Sequence, residues 1–85
     1  MGKVKGNYWR ISEDTFKLQI KTRQEQRILE EALPGWQCVC YGYAPKTEED
    51  IYVFQRRFET ELDWTKFINC DKINNMIDMR EVKND

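Results

Sequence analysis

The sequence contains no histidine and a single serine, Ser12. Histidine is the commonest general base and metal ligand, so its absence removes the Ser–His and Cys–His pairs of most nucleophilic enzymes. The four glycines are scattered, at positions 2, 6, 35 and 42, and form no phosphate-binding loop. We therefore expect a protein that is not an enzyme, with no catalytic residues, no cofactor and no metal.

Cysteine is also sparse, with three residues at positions 38, 40 and 70. Cys38 and Cys40 lie two apart on a predicted strand, so they are expected to point to the same face, about 6.6 Å apart at their α-carbons. That distance is near the upper limit for a disulfide, and a zinc site would need more ligands than Cys70 adds. We interpret all three as reduced thiols that pack as small hydrophobic side chains.

No apolar segment approaches the roughly 18 residues that a membrane span requires. The first residues have no apolar segment of the kind found in signal peptides. A length of 85 residues fits one domain. We expect a single cytoplasmic domain over residues 1–85, with no membrane partner and with flexible tails at 1–6 and 83–85.

Charge is nearly balanced at −1, but it is unevenly distributed along the chain. Residues 1–27 hold seven basic and three acidic residues, a net charge of +4, whereas residues 28–85 hold seven and twelve, a net charge of −5. Acidic residues concentrate in Glu48–Asp50 and at Glu59, Glu61 and Asp63. Small size and acidic stretches suggest, by analogy, an inhibitor that imitates nucleic-acid charge, as phage or mobile-element anti-defence factors do.

Hydrophobic periodicity predicts strands and helices in alternation. Phe16, Leu18 and Ile20 alternate with Lys17, Gln19 and Lys21, the pattern of a strand with one buried face. The predicted strands are Tyr8–Ile11, Thr15–Thr22, Trp36–Tyr43, Asp50–Phe58 and a stretch within 76–82. Capping signals at Thr22–Glu25 and Thr60–Asp63 each predict that a helix follows.

From Thr15 onward this order is the ferredoxin-like βαββαβ order of an α+β protein. Two helices are expected on one face of an antiparallel sheet, and Tyr8–Ile11 is expected to add an edge strand. In the alternative, the end of the chain extends the second helix, which gives a ββαββα order without a final strand.

The strand 51–58 is apolar on both faces, so its orientation decides which surface is available for binding. We expect Ile51 and Val53 to face the helices. The open face is then expected to present Lys17, Gln19, Lys21, Tyr52, Phe54 and Arg56.

Aromatic and arginine side chains are enriched in protein interfaces, so this face predicts a small regulator or inhibitor that docks on another protein. In another interpretation Tyr52 and Phe54 are core residues, covered by the N-terminal segment with Trp9 or by a second copy of the chain. The alternative partner is single-stranded nucleic acid, stacked as on the sheet of RRM domains. The resemblance to RRM domains is one of topology only, because their aromatic third-strand motif is missing from residues 50–58.

Overall fold

The computed structural model describes residues 3–83, which form five strands and three helices. In chain order these are β1 (Val4–Arg10), β2 (Thr15–Thr22), α1 (Gln26–Ala32), β3 (Gln37–Ala44), β4 (Glu49–Arg57), α2 (Glu61–Ile68), α3 (Asp71–Met76) and β5 (Ile77–Glu81). Strand β1 thus begins inside the segment 1–6 that was expected to be a tail; residues 1, 2, 84 and 85 lie outside the described part. None of the helices within 3–83 is long and apolar enough to cross a membrane.

The strands form one mixed sheet in the order β3-β4-β2-β1-β5. Neighbouring strands are antiparallel, except that β1 and β5 are parallel. The α+β class is therefore confirmed, and so is the final strand, which makes the ββαββα alternative wrong.

The predicted ferredoxin-like order, with the N-terminal strand at an edge, is not what the sheet shows, because β1 lies between β2 and β5. A short turn joins β1 to β2, and the amide of Ile11 donates to the carbonyl of Thr15 at 2.9 Å. Such a hairpin holds consecutive strands side by side. Because β1 occupies the side of β2 that β4 leaves free, the last strand pairs with the far side of β1 and not with β2.

All three helices cover the same face of the sheet. The core on that face joins Leu18 and Ile20 of β2 to Leu29 of α1, Trp64 of α2 and Ile73 of α3, all buried. The Trp64 ring stacks on Phe16 of β2 with a centroid distance of 3.7 Å. Among the elements of residues 3–83, no helix lies on the opposite face of the sheet.

The face of strand β4 that packs against the helices is the opposite of the one predicted. Tyr52 and Phe54, expected on the open face, are only 5% and 0% exposed beneath the helices. Phe54 lies opposite Leu18, and Tyr52 lies opposite Ile20. Residues opposite one another in a sheet share a face, and each aromatic ring buries about 150–250 Å², more than Ile51 or Val53 can. The larger gain in burial sets the orientation.

The two capping predictions have different outcomes. Thr60 caps α2, because its side chain accepts a hydrogen bond from the amide of Asp63 at 3.1 Å. Thr22 does not cap α1, which begins after Glu25. Instead Thr22 ends β2 as a buried residue, and its hydroxyl accepts from the amide of Gln24 at 3.0 Å. The pairing of Thr22 with β4 keeps this residue in the strand, despite the helix-capping sequence that begins there.

A glycine allows the close contact between β1 and β5. A β-carbon built on Gly6 would meet Cγ2 of the buried Ile77 at 2.6 Å, whereas one on Gly42 in β3 meets nothing within 4 Å. We expect Gly6→Ala to lower the free energy of unfolding by about 1–3 kcal/mol through overpacking. Gly42→Ala is the matched control and should change it by less than about 0.5 kcal/mol. Urea denaturation measures both, and equal effects would contradict the predicted role of Gly6.

Candidate binding face

Side chains alternate between the two faces of a strand, so the residues between the buried ones point away from the helices. We call this surface the open face; it spans roughly 20 Å between the edge strands. Its members follow from the strand register. They are Lys5, Asn7, Trp9, Thr15, Lys17, Gln19, Lys21, Gln37, Cys40, Gly42, Ala44, Glu49, Ile51, Val53, Gln55, Arg57, Asp78 and Arg80.

The centre of the open face is neutral. The register aligns Cys40, Val53, Gln19 and Asn7 in one uncharged row across four strands, and this row ends at Arg80 on the edge strand β5. Val53 and Gln19 are half-buried by their neighbours on the face, since no helix lies above them. A surface with small, amide and aliphatic groups at its centre resembles the less charged core of a protein interface.

Lysines flank this neutral row on both sides. Lys5 and Lys21 lie directly opposite one another on β1 and β2, and Lys17 lies four residues before Lys21, opposite Trp9. None of the three lysines forms an ion pair with another residue of the part that the structure describes. Like charges placed directly opposite across two strands destabilise a sheet. Asp78 of β5 lies opposite Lys5 on its other side, so the positive charge of the three lysines is balanced only in part.

Two arginines extend the positive charge and are held by acids. The Arg57 guanidinium donates to the carboxylate of Asp14 at 2.6 Å, and Arg80 donates to Asp78 at 3.4 Å. The hydrogen bond from Arg57 is the main reason that the pKa of Asp14 lies below its ordinary value, and the hydroxyl of Thr15 adds to it. These pairs fix the arginines at the ends of the face and partly neutralise them.

The predicted site residues divide between the two faces. Lys17, Gln19 and Lys21 lie together on the open face, as expected. Tyr52 and Phe54 do not, because they are in the core.

Arg56, the remaining predicted residue, also lies on the helix side. Its guanidinium stands 4.5 Å from the ring centre of Phe58 and donates to the carbonyl of Pro34 at 2.9 Å. Gly35, with φ of +86°, brings the turn after α1 close to this guanidinium. Arg56 thus fixes the turn between α1 and β3, which is a structural role.

A β-bulge changes the orientation of the cysteines and tyrosines in β3. The register shifts between Cys38, which lies opposite Phe54, and Cys40, which lies opposite Val53. The two free thiols therefore point to opposite faces, and the prediction of a shared face is wrong. Beyond the bulge, Tyr41 and Tyr43 lie on the helix side but remain more than half exposed.

Several members of the open face were missed by sequence reasoning, chiefly Lys5, Trp9, Arg57 and Arg80. The alternation of Lys5, Asn7 and Trp9 was the available signal. This alternation can be assigned to a face only when the pairing register of β1 with β2 is known. Arg57 was missed because β4 was assigned the wrong orientation.

The acidic residues do not form the single surface that the inhibitor analogy requires. Glu48–Asp50 lie at the start of β4, and Glu59, Glu61 and Asp63 lie beyond its end. The length of the nine-residue strand β4, about 30 Å, separates them. The basic open face is therefore the more coherent charged surface.

Comparison with protein-family models, with curated proteins and with solved structures found no significant match. A function for this chain must therefore be inferred from the geometry and charge of its described residues.

The ion pair between Asp14 and Arg57 has a testable pH signature. We expect Arg57→Gln to raise the pKa of Asp14 toward its ordinary value of 3.8. Because the folded pKa is depressed, the pair stabilises the fold above pH 3.8, and this contribution is lost as the pH falls through the folded pKa. An NMR titration of the Asp14 carboxyl measures the shift. Arg80→Gln is the control and should leave the pKa of Asp14 at its wild-type value. An unchanged pKa of Asp14 in Arg57→Gln would contradict the assignment.

Proposed function

We propose that this protein is a non-catalytic interaction module that docks the open face of its sheet on an acidic surface of another protein, and so acts as a regulator or inhibitor. The observation that supports this most is the juxtaposition of Lys5 and Lys21, with Lys17 on the same face. A like-charge pair of this kind costs roughly 0.2–1 kcal/mol. An anionic partner offsets that cost on binding.

The layout of the open face favours a protein as the partner. Val53 supplies aliphatic contact area at the centre and Ile51 does so in the row of Lys21, while the amides of Gln19 and Asn7 supply hydrogen bonds. Cations toward the ends of the face steer association with a negatively charged surface and fix its register. A chain of 85 residues that covers an acidic surface blocks other proteins from it, which is a sufficient mechanism for inhibition.

Single-stranded nucleic acid is the second candidate, and Trp9 is the observation that favours it. Trp9 is half-buried on the open face, directly opposite Lys17, so a ring and a cation stand side by side. Binding of single strands requires this combination of stacking and phosphate contact. The burial of Tyr52 and Phe54 removes the further rings that an RRM-like sheet would offer, which places this candidate second.

Charge reversal on the open face tests the proposal. We expect Lys17→Glu combined with Lys21→Glu to reduce affinity for the protein partner at least roughly tenfold, because repulsion replaces attraction. Lys66→Glu combined with Lys72→Glu makes the same charge change at exposed positions on α2 and α3, and it should bind like the wild type. The partner is captured from host extract with the wild-type protein and identified, and affinities are then measured by calorimetry. Equal affinities of the two variants for that partner would contradict the proposed face.

A titration with an oligothymidylate of about 20 nucleotides distinguishes binding of single-stranded nucleic acid from binding of a protein. We expect no binding at low salt if the face serves a protein. Micromolar binding that weakens steeply with salt, and that Trp9→Ala abolishes, would establish the nucleic-acid function instead.

A stability measurement tests whether the lysines serve binding at the expense of folding. We expect Lys21→Gln to raise the free energy of unfolding by about 0.2–1 kcal/mol, because it removes the like charge opposite Lys5. The same change should weaken partner binding. Lys72→Gln, on the exposed surface of α3, is the control and should alter neither quantity measurably. A loss of stability in Lys21→Gln would show that this lysine supports the fold.

A further inference from the structure

The two edges of the sheet differ in how they are protected. Strand β5 is five residues long and carries Asp78, Arg80 and Glu81. Strand β3 is eight residues long, and its sequence from Gln37 to Ala44 contains no charged residue and no proline. Exposed edges pair with other chains unless charge, proline, shortness, a bulge or a covering element prevents it. The β3 edge has no charge, proline or shortness to protect it, and its one bulge lies between Cys38 and Cys40.

Large apolar side chains are also exposed along β3. Val39, Tyr41 and Tyr43 are 49%, 58% and 54% exposed. The bulge lies before Cys40, and from Cys40 to Ala44 the strand pairs regularly with β4. Within residues 3–83, this regular stretch of five residues therefore has one side that no other strand pairs with, flanked by two tyrosine rings on one face.

The ring of Tyr41 is held in place. Its hydroxyl donates to the carboxylate of Asp50 at 2.6 Å, and the ring lies against Tyr52 with a centroid distance of 5.4 Å. A side chain already fixed in this way loses little entropy when a partner packs on it. The edge is thus preorganised for contact as well as exposed.

From these observations we infer that β3 pairs antiparallel with β3 of a second copy of this chain, in a two-fold dimer centred on Gly42. In this register Tyr41 of one copy lies opposite Tyr43 of the other, which gives two cross-strand aromatic pairs. Cys40 lies opposite Ala44, so no charged groups meet. A second copy suits this edge because a neutral strand meets no like-charge repulsion when it pairs with itself.

The dimer joins two five-stranded sheets into one of ten strands. Its two-fold axis stands perpendicular to the sheet, so both open faces lie on the same side. Two sets of Lys5, Lys17 and Lys21 then share one surface. The inference stands independently of the proposed function, since it depends on the edge and not on the face.

Contact at a single edge predicts a weak dimer. The two tyrosines and Val39 leave roughly 300 Å² of side chain exposed per copy, below the roughly 800 Å² per partner of a standard interface. We expect a dissociation constant on the order of 10–100 µM. Association should therefore depend on concentration over an accessible range.

Sedimentation equilibrium tests the dimer directly. Between about 1 µM and about 1 mM, we expect the average mass of the wild type to rise from near 10.3 kDa toward twice that value. Tyr43→Lys should stay monomeric throughout, because it places a charge in the paired edge. Leu62→Lys, at a position 61% exposed on α2, is the matched control and should dimerise like the wild type. A wild type that remains monomeric to about 1 mM, or a dimer that survives Tyr43→Lys, overturns the inference.

Disulfide trapping tests the register. A cysteine at position 42 stands on the two-fold axis, where paired α-carbons lie about 4.5–5.5 Å apart, within disulfide range. In a Cys40→Ser background, Gly42→Cys should form a covalent dimer under mild oxidation, whereas Leu62→Cys should not. Gly42 has open space around it, so the substitution does not crowd the fold. A dimer by sedimentation without this cross-link contradicts the proposed register.

Discussion

The pairing of β2 with β4 determines what this protein can present to a partner. Leu18 lies opposite Phe54 and Ile20 opposite Tyr52, and all four are buried beneath the helices. A shift of one residue in this register would exchange the two faces of β4. It would expose both rings and bury Ile51 and Val53. Because burial of the rings is the larger gain, the observed register leaves a polar, positively charged surface on the other side.

This constraint explains why the positive charge of the first 27 residues is not dispersed. Strands β1 and β2 both come from that part of the chain, and they pair as a hairpin. Their buried faces are apolar, so the lysines alternating with them are forced onto the open face together. The three helices follow later and hold five acidic and three basic residues. A nearly neutral chain thereby becomes a two-sided domain.

The sequence was sufficient to predict the elements but not their arrangement in the sheet. Clean alternation at Phe16–Lys21 gave the correct strand and the correct open-face residues there, because one face is wholly apolar. At residues 51–58 both faces are apolar, so local pattern could not decide the orientation; only the partner strand could. The position of β1 inside the sheet could not be predicted either, since it depends on which strand the final strand pairs with. The bulge in β3 was also missed, because no residue in that strand marks it.

The central claim is that the open face, and not the helical side, meets an acidic partner. An NMR titration of the labelled protein with poly-L-glutamate, an acidic polypeptide of no particular sequence, tests this most directly. The account predicts that the signals of Lys5, Lys17 and Lys21 shift together, while those of Lys66 and Lys72 on the helical side stay in place. Shifts centred on Lys66 and Lys72, with the open face unaffected, would contradict it.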